Sequence, residues 1–173
     1  MNFFIKNLLI ICCCFLCCQG CYDDKATSSN KNLMSSDEKA VLLLKSNYNQ
    51  WLYTTYGYRK WAPTKKDIDR AHHILSTAIK NDEFNFLKTP SLQDLKGYYR
   101  QYIPYINAKG EKVIKINAFC ELLEVPPAST SESKVWTKMD WKNRYVDVDD
   151  GGYCYWRVVI NLDRNTYYNL IIG

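Results

Sequence analysis

From about residue 36 onward, apolar and polar positions alternate in two regimes, helical spacing first and strand spacing afterwards. Val41, Leu44, Tyr48 and Trp51 recur at intervals of three and four, which predicts one amphipathic helix. Ser35 followed by Glu38 has the form of a capping box and puts the start of that helix near Ser35 or Ser36. Thr64 with Asp67 repeats the signal, and Ile68, Ala71, His72, Leu75, Ala78 and Ile79 then make a clean apolar face for a second helix. Between the two lies an aromatic, basic loop bracketed by Gly57 and Pro63.

Past Asn81 the period changes toward two. Residues 98–106 and 111–120 flank Asn107-Ala108-Lys109-Gly110, whose glycine can take the positive φ of a short hairpin turn. Residues 145–148 and 154–162 flank Asp149-Asp150-Gly151-Gly152, a second hairpin signal, and Asp163-Arg164-Asn165-Thr166 leads into a last strand over 167–172. Five strands joined by short turns predict an antiparallel meander, interrupted by a long loop over about 124–144. Ile114, Ile116, Ala118 and Cys120 share one side of their strand, as do Cys154, Trp156, Val158 and Ile160. The expected fold is therefore α+β, with two N-terminal helices packed on one face of a mostly antiparallel, about five-stranded sheet. This order resembles cystatin-like and NTF2-like architectures.

The first residues follow a different rule. Lys6 precedes an unbroken apolar run over residues 8–18, too short for the roughly 20 residues of a membrane span. Gly20 and Cys21 close it, with polar Tyr22-Asp23-Asp24 behind. This arrangement resembles a bacterial lipoprotein signal. It implies that residues 1–20 are cleaved, that Cys21 is lipidated, that residues 21–36 form a polar tether, and that residues 37–173 are a single domain. The other readings are an ordinary secretory signal and a buried N-terminal helix that happens to be rich in cysteine. Asp23-Asp24 resembles the acidic doublet of outward-exported Bacteroidota lipoproteins, and the texture of residues 95–173 resembles small uncharacterised lipoproteins of the same group. The resemblance implies the cell envelope, with the outer membrane as the expected site and either its periplasmic or its surface face open.

Composition narrows the chemistry. The formal charge of +5 is spread along the chain and does not call for nucleic acid. Of the eight cysteines, Cys120 and Cys154 would remain as the one possible pair beside a lipidated Cys21, either bridged or as two buried thiols. His72 and His73 are neighbours about 100° apart on a helix and cannot share a site; no HExxH, CxxC zinc spacing, phosphate loop or nucleophile elbow occurs in the expected domain. Counted from Asp147, the twelfth position is Val158 rather than the Glu of a calcium loop. No cofactor or metal is expected, and no catalytic set.

The excess lies in the aromatics, with 14 Tyr, 5 Trp and 6 Phe. Tyr56, Tyr58 and Trp61 crowd the interhelical loop beside Arg59, while Trp136 and Trp141 sit among lysines of the long loop. Rings with cations on loops are the side chains that carry interface energy. These six residues are the candidate binding set, for a protein or glycan partner. The function expected is a membrane-anchored binding protein without enzymatic activity. The alternatives are an extracytoplasmic hydrolase drawing on Glu121, Glu124 or Asp140, and an inhibitor or immunity-type protein.

Overall fold

A computed structural model describes residues 33–34, 36–87, 91–127 and 135–173. The expected signal, Cys21, the Asp23-Asp24 doublet, most of the tether and Ser35 lie outside the described residues.

The architecture is α+β, as expected, around a five-stranded, mostly antiparallel sheet. Its strands are β1 (Ala40–Leu42), β2 (Tyr99–Ile106), β3 (Lys112–Phe119), β6 (Tyr155–Asn161) and β7 (Thr166–Ile172), in the order β1-β2-β3-β6-β7. Two-residue strands β4 (Glu124–Val125) and β5 (Thr137–Lys138) pair separately within the long loop. The helices are α1 (Asn47–Tyr56), α2 (Lys65–Lys80) and the single turn α3 (Leu92–Leu95).

The first element differs from the expectation. Residues 40–42 form an edge strand parallel to β2 rather than the opening of a helix. The apolar run Ala40 to Leu44 suits a buried strand as well as a helical stripe, and the cap decides between them. Ser46 Oγ accepts from the Asn49 backbone N–H at 3.2 Å, Asn49 Oδ1 accepts from the Ser46 N–H at 3.0 Å, and Asn49 Nδ2 donates to the Leu43 carbonyl at 3.1 Å. This buried box caps α1 at Ser46 rather than at the predicted Ser35 or Ser36, and Gly57, with φ 64°, ends it in the left-handed region.

The two long helices cover opposite faces of the sheet, which corrects the one-face prediction. Ile68, Ala71, Ile74, Leu75 and Ala78 of α2 pack with Tyr102, Ile114, Ile116, Ala118, Trp156, Val158 and Ile160. Leu52 of α1 packs with Ile103, Tyr105, Val113 and Val159, the opposite parity on the same strands. A third cluster, Phe119, Trp141, Val146 and Tyr155, extends the α1 side toward the β1 edge. A side chain that alternation alone would send to solvent is thereby enclosed on both faces.

Turns account for the remaining differences. The β2–β3 hairpin closes as predicted, with Gly110 at φ 80°. Residues 145–148 do not join the sheet. Instead Val146 gives its N–H to Gln101 Oε1 at 3.0 Å, and its carbonyl accepts from Asn117 Nδ2 at 2.8 Å. Two buried amide side chains thus replace a strand partner for this segment. Cys120 and Cys154 join as a disulfide with Cα atoms 5.0 Å apart, at the end of the β3–β6 ladder, where the Cys120 N–H donates to the Cys154 carbonyl at 2.9 Å.

Candidate functional site

The predicted binding residues separate into different environments. Tyr56 and Tyr58 belong to a continuous run of rings across the α1 face. Tyr145 stacks on Tyr48 at 4.0 Å, Tyr48 meets Trp51 at 5.4 Å, Trp51 meets Tyr56 edge-on at 5.0 Å, Tyr56 lies over Tyr58 at 5.4 Å, and Tyr58 stacks on Tyr105 at 4.9 Å. Helix α1 presents Tyr48 and Trp51 three residues apart on one side, and the Gly57 cap turns the chain so that Tyr58 drops onto β2. Arg59 continues this course by exchanging two backbone hydrogen bonds with Ile106, each at 2.9 Å. The middle of the run is open: Trp51 is 44% exposed and Tyr56 49%. Tyr168, exposed on β7, extends the surface at the Tyr105 end, and Ile171, also exposed on β7, lies opposite Arg157.

Trp61 and Trp141 lie elsewhere. Trp61 packs against the α2-side core with Lys112 Nζ 5.4 Å from its ring centroid, and Trp141 is buried against Tyr99 and Phe119. Trp136 is exposed in the long loop, and no ring of the run reaches it. Among the described residues, the interhelical cluster is the one that joins an extended aromatic surface.

Lys115, a residue that the sequence reading passed over, sits beneath one end of the run. Its ammonium donates to Tyr48 Oη at 2.7 Å and lies 4.5 Å and 4.8 Å from the ring centroids of Tyr48 and Tyr145. Burial pushes its pKa down to about 8, and the neighbouring Arg157 guanidinium adds to the push. Burial likewise raises Tyr48 to about 12 and lifts Tyr145 and Tyr105 above the ordinary phenol range. These hydroxyls therefore stay protonated as donors. Among the described residues Arg157 has one ionic partner, Asp147, at 3.9 Å.

On the opposite face, His72 Nε2 meets the hydroxyl of fully buried Tyr102 at 2.9 Å, and Arg100 bonds Asp37 at 2.7 Å on the same strand. Burial, aided by Arg100, lowers the His72 pKa, so the imidazole is neutral near pH 7. A cavity of about 430 Å³ adjoins His72, Tyr102 and Asp37. A larger groove of about 930 Å³ runs along β1 past Tyr99 and Trp141.

Of the carboxylates considered for hydrolysis, Asp140 accepts from Asn143 in a local turn, while Glu121 and Glu124 lie exposed, Glu124 in β4. Among the described residues no three His, Cys, Asp or Glu side chains are grouped to hold a metal, and no helix is long and apolar enough to cross a membrane. No family model, curated protein or solved structure matches this chain.

Proposed function

We propose that this chain is an extracytoplasmic binding protein, exported by residues 1–20, anchored through lipid on Cys21, and engaging its partner through the aromatic run on the α1 face. The open Trp51–Tyr56 segment carries the reading. A soluble domain gains nothing in its own core from rings left in water, whereas exposed Trp and Tyr beside cations supply large, rigid contact area for a partner. Lys60 adds to the surface, its ammonium 5.9 Å from the Tyr53 ring centroid. The signal-like N-terminus supports the address, and multiple acyl chains on Cys21 would give stable anchoring where one chain is marginal. The partner is a protein or glycan of the cell envelope.

The test is quantitative capture from the native host with full-length, tagged protein. Trp51→Ala with Tyr56→Ala should lose the captured partner while retaining the wild-type melting temperature, and Cys21→Ala should leave the membrane fraction yet still capture it. Unchanged capture by the Trp51/Tyr56 variant would reject the aromatic run as the binding surface.

A further inference from the structure

We propose that Lys115 and Arg157 form the acid-recognising end of the aromatic run and bind the carboxylate of a small ligand whose flat ring lies along Tyr48 and Trp51. This inference rests on reading the run as a recognition surface. Lys115 on β3 and Arg157 on β6 share the α1 face as diagonal neighbours, since Lys115 pairs with Val159 and Asn117 with Arg157. Two cations are thus held side by side in partly buried positions, where charge is ordinarily matched by an acid.

The protein supplies little of that acid. Among the described residues Lys115 has no carboxylate within ion-pair distance, and its one hydrogen-bond partner is Tyr48 Oη. Arg157 shares a side-chain hydrogen bond with Tyr155 and holds Asp147 only at 3.9 Å, and the Asp147 side chain is 73% exposed. Unused N–H donors therefore remain on both side chains, and their excess positive charge is complementary to an anion. The ring component follows from continuity: the Tyr48 ring contacts the Lys115 ammonium and then Trp51, so an acid held by Lys115 has an aromatic surface beside it. A charged acceptor forms the stronger class of hydrogen bond with such donors.

Proton linkage gives the site a distinctive signature. A bound carboxylate favours the ammonium form, so binding draws a proton onto Lys115. Affinity is full below the free-state value of about 8 and declines as pH rises through it.

Sodium benzoate is the probe, titrated into full-length protein and followed by the Lys115 side-chain NMR signal and by calorimetry, with benzyl alcohol and inorganic phosphate in parallel. Benzoate should saturate at pH 7, tighter than either control, and should weaken about tenfold or more in Lys115→Met and in Arg157→Gln, the loss expected for a charged hydrogen bond. Asp147→Asn, which removes the internal competitor, should tighten it. Arg157→Gln lies at the partly exposed rim and keeps the test decisive if Lys115→Met unfolds. Absence of saturation by benzoate, equal affinity in the Arg157→Gln variant, or phosphate binding as tightly as benzoate would each overturn the proposal. If benzoate fails while partner capture still depends on Trp51 and Tyr56, acid recognition falls and the broader binding function stands.

Discussion

Replacing Gln101 by Leu should destabilise the protein by about 3–5 kcal/mol, although the two side chains are nearly the same size. Gln101 is fully buried on β2 and its amide bonds four groups. Nε2 donates to the carbonyls of Trp141 and Arg144, each at 2.6 Å, while Oε1 accepts from the Val146 N–H and from Asn117 Nδ2, each at 3.0 Å. Leucine deletes all four bonds and strands three backbone groups with one amide N–H. Each group left buried without a partner costs about 1–3 kcal/mol. Because Arg144 is itself exposed, water can reach part of the loop, and the sum settles at the lower end of the simple total. Against the ~5–15 kcal/mol of a typical domain this is a large fraction. Urea denaturation measures the loss, and hydrogen exchange localises it: the Val146 amide should lose protection at denaturant concentrations where the β2–β3 hairpin keeps its own. A destabilisation below 1 kcal/mol, or unchanged Val146 protection, would refute the argument that side-chain amides replace a strand partner for residues 145–148.

Three further outcomes follow from other parts of the fold. Reduction, or Cys120→Ser, should lower stability by about 3–4 kcal/mol, because the bridge spans 34 residues of sequence; identical denaturation midpoints with and without reductant would contradict this. Gly151→Ala should cost about 1–3 kcal/mol by overpacking, since an added Cβ would lie 2.4 Å from Tyr155 Cβ at the start of β6, while φ −71° makes the backbone itself undemanding; a thermal melt checks it. Lys115 titrates near 8 when folded and near 10.5 when unfolded, so between those values the unfolded chain holds the extra proton and wild-type stability gains on Lys115→Met as pH rises. Denaturation of both proteins at pH 7 and pH 9.5 measures the gap, and a gap that stays constant or moves the other way is the contrary result.

Legibility in the sequence followed the locality of the interactions. Helix α2 could be read because its Thr64–Asp67 box and its apolar stripe are both local signals, and the β2–β3 hairpin because Asn107 and Gly110 mark the turn. The start of α1 was misplaced since Val41, Leu44, Tyr48 and Trp51 satisfy helical spacing across what is in fact a strand and a cap. Asn49 does the work of the usual capping Glu, and its partners Ser46 and Leu43 show why residues 40–42 stay extended. Residues 145–148 alternate like a strand, yet their polar groups are taken by Gln101 and Asn117, whose burial no pattern in their own strands reveals.

Lys115 was missed for a related reason. It lies between Ile114 and Ile116, so period-two reading sends it outward, and outward means solvent only if both helices share the other face. Once α1 covers that side, Lys115 is enclosed by Tyr48 and Tyr145. The aromatic excess did point to the α1 face through Tyr56 and Tyr58. It could not separate out Trp141, which is buried in the core, and Trp61, which packs half-buried against it, because ring content alone does not distinguish packing from display.

The aromatic run as the binding surface is tested most directly by footprinting. Radical labelling of Trp51, Tyr56 and Trp136 would be compared between purified protein and protein in intact cells of its host. Trp51 and Tyr56, open in the isolated chain at 44% and 49%, should become protected in the cells while Trp136, at 57%, keeps its labelling. Protection of Trp136 with Trp51 and Tyr56 unchanged would contradict the account and move the binding surface to the long loop.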